Sequence, residues 1–88
     1  MINEELINKF KNDGVVLLRQ IVDVNWINIL REGVKKNFNN PSQYKCVYET
    51  DEDQNELFYD DYCNWNRIKE YKNFIFNSNI AIIAKKLM

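Results

Sequence analysis

The sequence predicts an α+β fold made mainly of helices, with two or three short strands. Apolar residues recur at helical spacing in the middle of the chain, at Ile27, Leu30, Val34 and Phe38. An unbroken apolar run at 15–18 and an alternating pattern at 44–48 are instead typical of strands. With 88 residues, 45% of them hydrophobic, the chain is long enough for one small domain with a marginal core.

The first predicted helix covers residues 3–12, with Leu6 and Phe10 on one face. Asp13-Gly14 ends this helix, because glycine readily takes the left-handed conformation of a helix C-terminus. Val15 to Leu18 then predicts a strand that is covered on both faces, since its apolar residues do not alternate with polar ones. Such a strand needs neighbouring strands, and this short chain offers few.

Asp23 is the predicted N-cap of the second helix, which carries the Ile27 to Phe38 pattern. That helix should end at Asn39-Asn40, because the residue before Pro41 is pushed out of helical geometry. A strand is then predicted at 44–48, because Tyr44, Cys46 and Tyr48 alternate with Lys45 and Val47. Leu57-Phe58-Tyr59 is its plausible partner across loop 50–56.

A third helical stretch is predicted to start at residues 64–67 and to continue through Ile68, Tyr71 and Ile75. Ser78 can cap a last helix, which carries Ile80, Ile83, Ala84 and Leu87 on one face. No Gly, Asn or Pro ends that helix, so we expect a truncation point as readily as a natural end.

The charge is nearly balanced, with 12 basic against 13 acidic residues, and gives no attraction to nucleic acid. Residues 49–63 hold seven acidic groups and no basic one. An EF-hand needs a glycine in the middle of its loop, and none occurs after Gly33, so a solvated acidic loop is the preferred interpretation. Cys46 and Cys63 form no zinc-binding pair and are interpreted as free thiols.

The amino terminus lacks the basic and apolar regions of a signal peptide. The longest wholly apolar run, Ile80 to Ala84, is far shorter than a membrane span. We therefore expect a cytoplasmic protein that does not enter the membrane.

The order of the motifs resembles the start of the phytanoyl-CoA dioxygenase family. Phe10 with Asp13-Gly14 and the segment Val15 to Arg19 is similar to the family's aromatic residue, Asp-Gly pair, apolar strand and basic residue. Asp23 and the helix after it match the next part of the family pattern. Phe58-x-x-Asp61, Asn64-Trp65 and the apolar positions up to Met88 are similar to the linker and helix that precede the family's catalytic barrel.

The resemblance implies a double-stranded β-helix (cupin-like) enzyme that uses Fe(II), 2-oxoglutarate and O₂ to hydroxylate a substrate. Its iron ligands are two His and one carboxylate, and this chain contains no His. We therefore expect residues 1–88 to be a single N-terminal scaffold segment of such a dioxygenase, without the catalytic barrel and without activity of its own. The cofactors would be held elsewhere, so the resemblance assigns no catalytic, cofactor-binding or metal-binding residue here.

The partner implied by the resemblance is the remainder of the same polypeptide, its catalytic barrel. The residues expected to pack against that barrel are Val15, Leu17, Trp65, Ile80 and Ile83. We expect the isolated segment to be marginally stable or to self-associate.

Two side chains have competing interpretations. Trp65 could line a substrate channel, but a tryptophan at the head of an amphipathic helix is more often part of a core. Arg67 could bind an anion, but a surface arginine more often pairs with an acid, and Asp60-Asp61 is close in sequence.

Three other classes of protein compete with this interpretation. A carrier protein needs an attachment serine in an Asp-Ser-Leu context, which neither Ser42 nor Ser78 has. An independent enzyme would have to do acid-base chemistry with carboxylates alone. A small independent protein-binding module is the main alternative, because an exposed strand edge at 15–18 and an unfinished helix face would both attract a partner.

Overall fold

The computed structural model describes residues 2–49 and 57–88, with the backbone alone for residues 48, 49, 57 and 58. The acidic loop predicted at 50–56 lies outside the described residues. Within them the fold is α+β, as predicted, with six elements: α1 (Glu4–Asp13), α2 (Val24–Asn39), β1 (Cys46–Glu49), β2 (Leu57–Asp60), α3 (Lys69–Asn77) and α4 (Ile80–Leu87).

Both ends of α1 are capped. The side chain of Asn3 accepts a hydrogen bond from the backbone N–H of Leu6 at 3.0 Å. Gly14 adopts a positive φ of 74° and donates its N–H to the carbonyl of Phe10 at 2.8 Å. The predicted helix end at Asp13-Gly14 is confirmed.

Residues 15–18 form no strand, so that prediction is wrong. The segment is irregular, and the sheet in the described part of the chain contains only β1 and β2. Val15 and Leu17 are 68% and 67% exposed, whereas Val16 and Leu18 are half-buried. A strand requires hydrogen bonds to a neighbouring strand, and neither strand in residues 2–49 and 57–88 pairs with 15–18.

Helix α2 has the predicted bounds but buries a different face. Asp23 caps it by accepting the N–H of Asn25 at 2.7 Å. Its buried residues are Gly33 and Asn37, and both lie against α3. The apolar residues expected to form the core face are more exposed, including Val34 and Phe38.

The two strands form an antiparallel hairpin, which confirms their predicted pairing. Cys46 lies opposite Asp60, and Glu49 lies opposite Leu57. Phe38 near the end of α2 packs edge-on against Tyr59, with 5.3 Å between the ring centroids. This aromatic contact attaches the hairpin to the longest helix.

The third predicted helix starts later than the sequence indicated. Residues 64–68 form a turn, closed by the N–H of Ile68 and the carbonyl of Asn64 at 2.9 Å, and α3 begins only at Lys69. The N-cap of α4 is Asn79, one residue after the predicted Ser78. The hydroxyl oxygen of Ser78 nevertheless accepts the N–H of Ile80 at 3.2 Å. Helix α4 then packs against α1 and α3.

The core of the described chain is small. Its buried hydrophobic residues are Ile68 and Ile83, each 5% exposed. The radius of gyration is 16.5 Å, against about 12 Å for a compact domain of this length. None of the helices in residues 2–49 and 57–88 is both long enough and apolar enough to cross a bilayer.

Candidate functional site

The five residues predicted to pack against a barrel differ in exposure. Val15, Leu17 and Trp65 are exposed, Ile80 is half-buried, and Ile83 lies in the chain's own core. Trp65 is 49% exposed, so the expectation that it is a core residue is not met in this chain. Ile83 is already covered by the chain's own helices and does not belong to an exposed surface.

A second exposed apolar region lies on α2. Val24, Ile27, Val34 and Phe38 share one face of the helix, with Arg31 between them, and we call these apolar residues the α2 stripe. The helix turns by about 100° per residue, which places the stripe about a quarter turn from the buried face at Gly33 and Asn37. The sequence pattern identified the apolar face of α2, but the residues that contact α3 lie on the neighbouring face of the helix.

A polar cluster lies at the C-terminal end of α2. It consists of Asp61, Arg67 and the residues that bind them, and we call it the Asp61–Arg67 cluster. Asp61 has a side chain that is only 1% exposed; it accepts hydrogen bonds from the N–H of Ser42 at 2.9 Å and from the Ser42 hydroxyl. An Arg67 nitrogen lies 3.8 Å from Asp61, which confirms the predicted pairing of Arg67 with an acid.

Arg67 joins this cluster to the end of α2. It donates to the carbonyl of Asn40 at 2.6 Å and to the side-chain oxygens of Asn37 at 3.0 Å and Asn64 at 2.8 Å. The planar guanidinium has five N–H donors and so can bind several acceptors at once. The turn at 64–68 is thereby held against the C-terminal end of α2.

The ionised form of Asp61 is favoured by its surroundings. Burial by itself raises the pKa of the carboxyl, but the hydrogen bonds from the Ser42 side chain and backbone, with further ones from Asn64 and Tyr62, outweigh burial and lower the pKa. A carboxylate whose oxygens already accept these bonds is poorly placed to exchange protons with a substrate. We interpret the cluster as structural.

A cleft of about 600 Å³ lies beside the cluster, between the end of α2 and the start of α3. Lys36 and Glu70 form an ion pair there, and the hydrogen bond from Lys36 lowers the pKa of Glu70. The other carboxylate oxygen of Glu70 is buried without a hydrogen-bond partner among the described residues. The opposite charges of Lys36 and Glu70 neutralise each other, so the cleft has no free acid-base pair.

The described residues do not fit the iron chemistry implied by the resemblance. They contain no group of three or more His, Cys, Asp or Glu residues that could hold a metal ion. The whole chain has no His, whereas that iron site needs two. No step of that iron-dependent reaction can be assigned to the described residues.

The chain matches no protein-family model, no curated protein and no solved structure. Its function must therefore be argued from its own residues and their geometry.

Proposed function

We propose that this chain is the N-terminal scaffold portion of an Fe(II)- and 2-oxoglutarate-dependent dioxygenase of the phytanoyl-CoA dioxygenase family. Its exposed apolar surface would pack against the catalytic barrel formed by the remainder of the polypeptide. The observation that carries the proposal is the 15–18 segment, where Val15 and Leu17 are two-thirds exposed directly after Asp13-Gly14.

Covering this segment would be favourable. Burying a valine or leucine side chain contributes about 1.5–3 kcal/mol relative to leaving it exposed. The sheet in the described residues leaves 15–18 unpaired, so its backbone groups are free to add to another sheet. A β-barrel can supply both an apolar layer and a strand edge, which together satisfy what this segment lacks.

The chain would contribute no catalytic group to such an enzyme. It has no His. The carboxylates of Asp61 and Glu70, whose pKa values are lowered, already accept hydrogen bonds from Ser42 and from Lys36, respectively. Iron and 2-oxoglutarate would be held by the barrel. A cytoplasmic location belongs to the proposal, since Cys46 and Cys63 are free thiols.

The second candidate is a small independent protein-binding module. The α2 stripe favours it, because a row of exposed apolar side chains on one helix face is typical of helix-mediated recognition. In this case the exposed surfaces would contact another protein and not the same polypeptide.

The deciding experiment starts with the coding sequence after the Met88 codon, read in all three frames. A continuation with His-x-Asp or His-x-Glu and a later His supports the dioxygenase proposal. A stop codon with no such motif in any frame contradicts it and leaves the binding module.

If the continuation exists, the barrel portion is expressed separately and its affinity for this chain is measured by calorimetry. We expect the double variant V15D/L17D to weaken binding at least about tenfold, since charges would enter an apolar contact. V24D/V34D is the matched control, because it adds the same two charges at exposed valines of α2. Equal losses in both variants would count against a contact centred on 15–18.

A further inference from the structure

The 15–18 segment has the exposure pattern of a strand at the edge of a sheet. Val15 and Leu17 are 68% and 67% exposed, whereas Val16 and Leu18 are half-buried, which indicates that successive side chains point to opposite sides. No backbone group of residues 15–17 forms a hydrogen bond with another backbone group in residues 2–49 and 57–88. The segment therefore presents an apolar face and a row of unused backbone donors and acceptors.

Opposite charges lie at the two ends of this segment. Asp13 is the last residue of α1, and Arg19 directly follows Leu18; both charged residues are exposed. Neither forms an ion pair with another residue in the described part of the chain, including Lys9 one helical turn before Asp13. Asp23 lines a shallow cleft together with Arg19, but its carboxylate caps α2. The segment thus begins beside an acid and ends beside a base.

These end charges decide the direction in which two copies of the segment can pair. In an antiparallel pair the start of each segment meets the end of the other, so Asp13 of each copy approaches Arg19 of the other copy. A parallel pair would instead place Asp13 beside Asp13 and Arg19 beside Arg19. Like charges directly opposite each other destabilise a sheet, so the antiparallel direction is favoured.

The exposed apolar side chains decide the register. Residues directly opposite each other in antiparallel strands point to the same side of the sheet. Val15 therefore meets an exposed apolar side chain only where it lies opposite Val15 or Leu17 of the other copy. The register that opposes Val15 to Leu17 also brings Asp13 level with Arg19, whereas the register that opposes Val15 to Val15 brings Asp13 level with Leu17. Only the first register joins apolar residues with each other and opposite charges with each other.

We propose that the 15–18 segment binds a second copy of this chain in a symmetric, antiparallel two-stranded sheet. Val15 of each copy packs against Leu17 of the other copy, and Asp13 pairs with Arg19 at both ends. The backbone groups that are unused within one copy form hydrogen bonds between the copies. One short strand on each side makes a small interface, so we expect a weak dimer with a dissociation constant of ~0.1–1 mM.

A second copy satisfies more of the segment than an unrelated strand does. Any extended strand can bond to the backbone groups, but a second copy also supplies an arginine level with Asp13 and an aspartate level with Arg19. The inference does not rest on the scaffold proposal, because it needs only residues 13–19 of two copies. If a catalytic barrel also binds the 15–18 segment, the barrel and the second copy would compete for it.

The test reverses the end charges and measures association by sedimentation velocity, at chain concentrations up to about 1 mM. Asp13→Arg and Arg19→Asp should each weaken association at least about fivefold, because each variant turns both end pairs into like charges. A mixture of the two variants should form a heterodimer within about twofold of the original affinity, since both end pairs again join opposite charges. The double variant D13R/R19D should restore association for the same reason, and circular dichroism verifies that each variant remains helical.

Glu5→Arg and Lys72→Glu are the matched controls, because they make the same two changes of net charge at exposed residues away from the segment. Each should associate within about twofold of the original chain, and mixing the two should bring no gain. The whole series is repeated with Val34→Lys, which places a charge in the α2 stripe. Association through the stripe then contributes little to the measurement.

Disulfide trapping tests the register. Cys46 and Cys63 are exposed free thiols and are first replaced by serine. A mixture of Val15→Cys and Leu17→Cys should then form disulfide-linked dimers at least about fivefold faster than either variant alone. Directly opposite positions of antiparallel strands lie within disulfide distance, whereas a Val15 pair or a Leu17 pair would be diagonal neighbours.

Three results would overturn the proposal: a mixture of the two end-charge variants that stays monomeric, an equal gain on mixing the two control variants, or cysteine variants that cross-link as fast alone as in the mixture. Association that Asp13→Arg leaves unchanged would overturn it as well, because the contact would then lie elsewhere on the chain. Binding of the barrel portion is measured separately by calorimetry, so failure of the scaffold proposal changes none of these readouts.

Discussion

At Gly33 the backbone of α2 approaches α3 too closely for a larger residue. A Cβ atom at this position would lie 2.9 Å from Cε1 of Tyr71 and 3.0 Å from Cβ of Glu70. The second of these atoms is fixed by the α3 backbone, so it cannot rotate away. The absence of a side chain at Gly33 therefore sets the distance between the two helices.

Gly33→Ala should destabilise the protein by up to about 2 kcal/mol. Overpacking costs about 1–3 kcal/mol, and the better helix propensity of alanine recovers at most about 1 kcal/mol. Urea unfolding followed by circular dichroism measures the difference, with Asn28→Ala at an exposed position of α2 as the control. A more stable Gly33→Ala variant would show that α3 can move aside at little cost.

Asp61→Asn should lower the urea midpoint at neutral pH, because the hydrogen bonds from Ser42 and the ion pair with Arg67 favour the carboxylate. The pKa of Asp61 is lowered from 3.8 in the folded protein. Its stabilisation is therefore present above 3.8 and is lost as the pH falls through the folded pKa.

The difference between the original protein and Asp61→Asn should thus shrink in acid. Urea midpoints measured from neutral pH down to below the ordinary aspartate range test this trend. Asp60→Asn is the neighbouring control, at an exposed residue of β2. A difference that grows on acidification would contradict the assignment of Asp61 as an ionised acceptor.

Among the elements, substitutions should change the free energy of unfolding little in the 15–18 segment and strongly in α4. V15T/L17T should change the free energy of unfolding by less than about 0.5 kcal/mol, because both side chains are mostly exposed. Ile83→Ala should cost about 2–5 kcal/mol, because that side chain is buried. Urea unfolding of both variants under the same conditions tests the contrast, and a large loss in V15T/L17T would show that the segment is packed in this chain.

Features set by residues close in sequence were predictable for these elements. Gly14 ends α1 and Asp23 starts α2, because each acts on a backbone group within a few residues. The pairing of the hairpin was predicted as plausible, since the alternation around β1 and the apolar residues 57–59 are both local signals, although residues 50–56 are many for a tight turn. The start of α4 was predicted to within one residue, since its N-cap is Asn79 and the hydroxyl of the predicted Ser78 accepts the N–H of Ile80.

Features that depend on contacts between distant residues were not predictable. An apolar run at 15–18 indicates a strand, but only a neighbouring strand can make it one. The α2 pattern marks its apolar face, yet the buried face is decided by Gly33, which allows α3 to approach.

For the whole molecule, the small core limits the stability of the monomer, and the exposed apolar surfaces favour association. Two buried isoleucines provide little hydrophobic stabilisation, whereas the α2 stripe and the 15–18 segment would gain from contact with a second surface. We therefore expect the isolated chain to be marginally stable as a monomer and to associate as its concentration rises. Sedimentation velocity over a range of concentrations measures this association.

The α2 stripe offers the sharpest test of that association. V24K/V34K places two charges on the stripe and should shift the chain toward monomer, because a charge in an apolar contact is costly unless it is paired. Asn28→Lys is the control, since it adds a charge at an exposed position of the same helix outside the stripe. A monodisperse monomer with a sharp thermal transition at every concentration would show that these surfaces need no cover. Association that persists in V24K/V34K but is lost in V15T/L17T would assign it to the 15–18 segment.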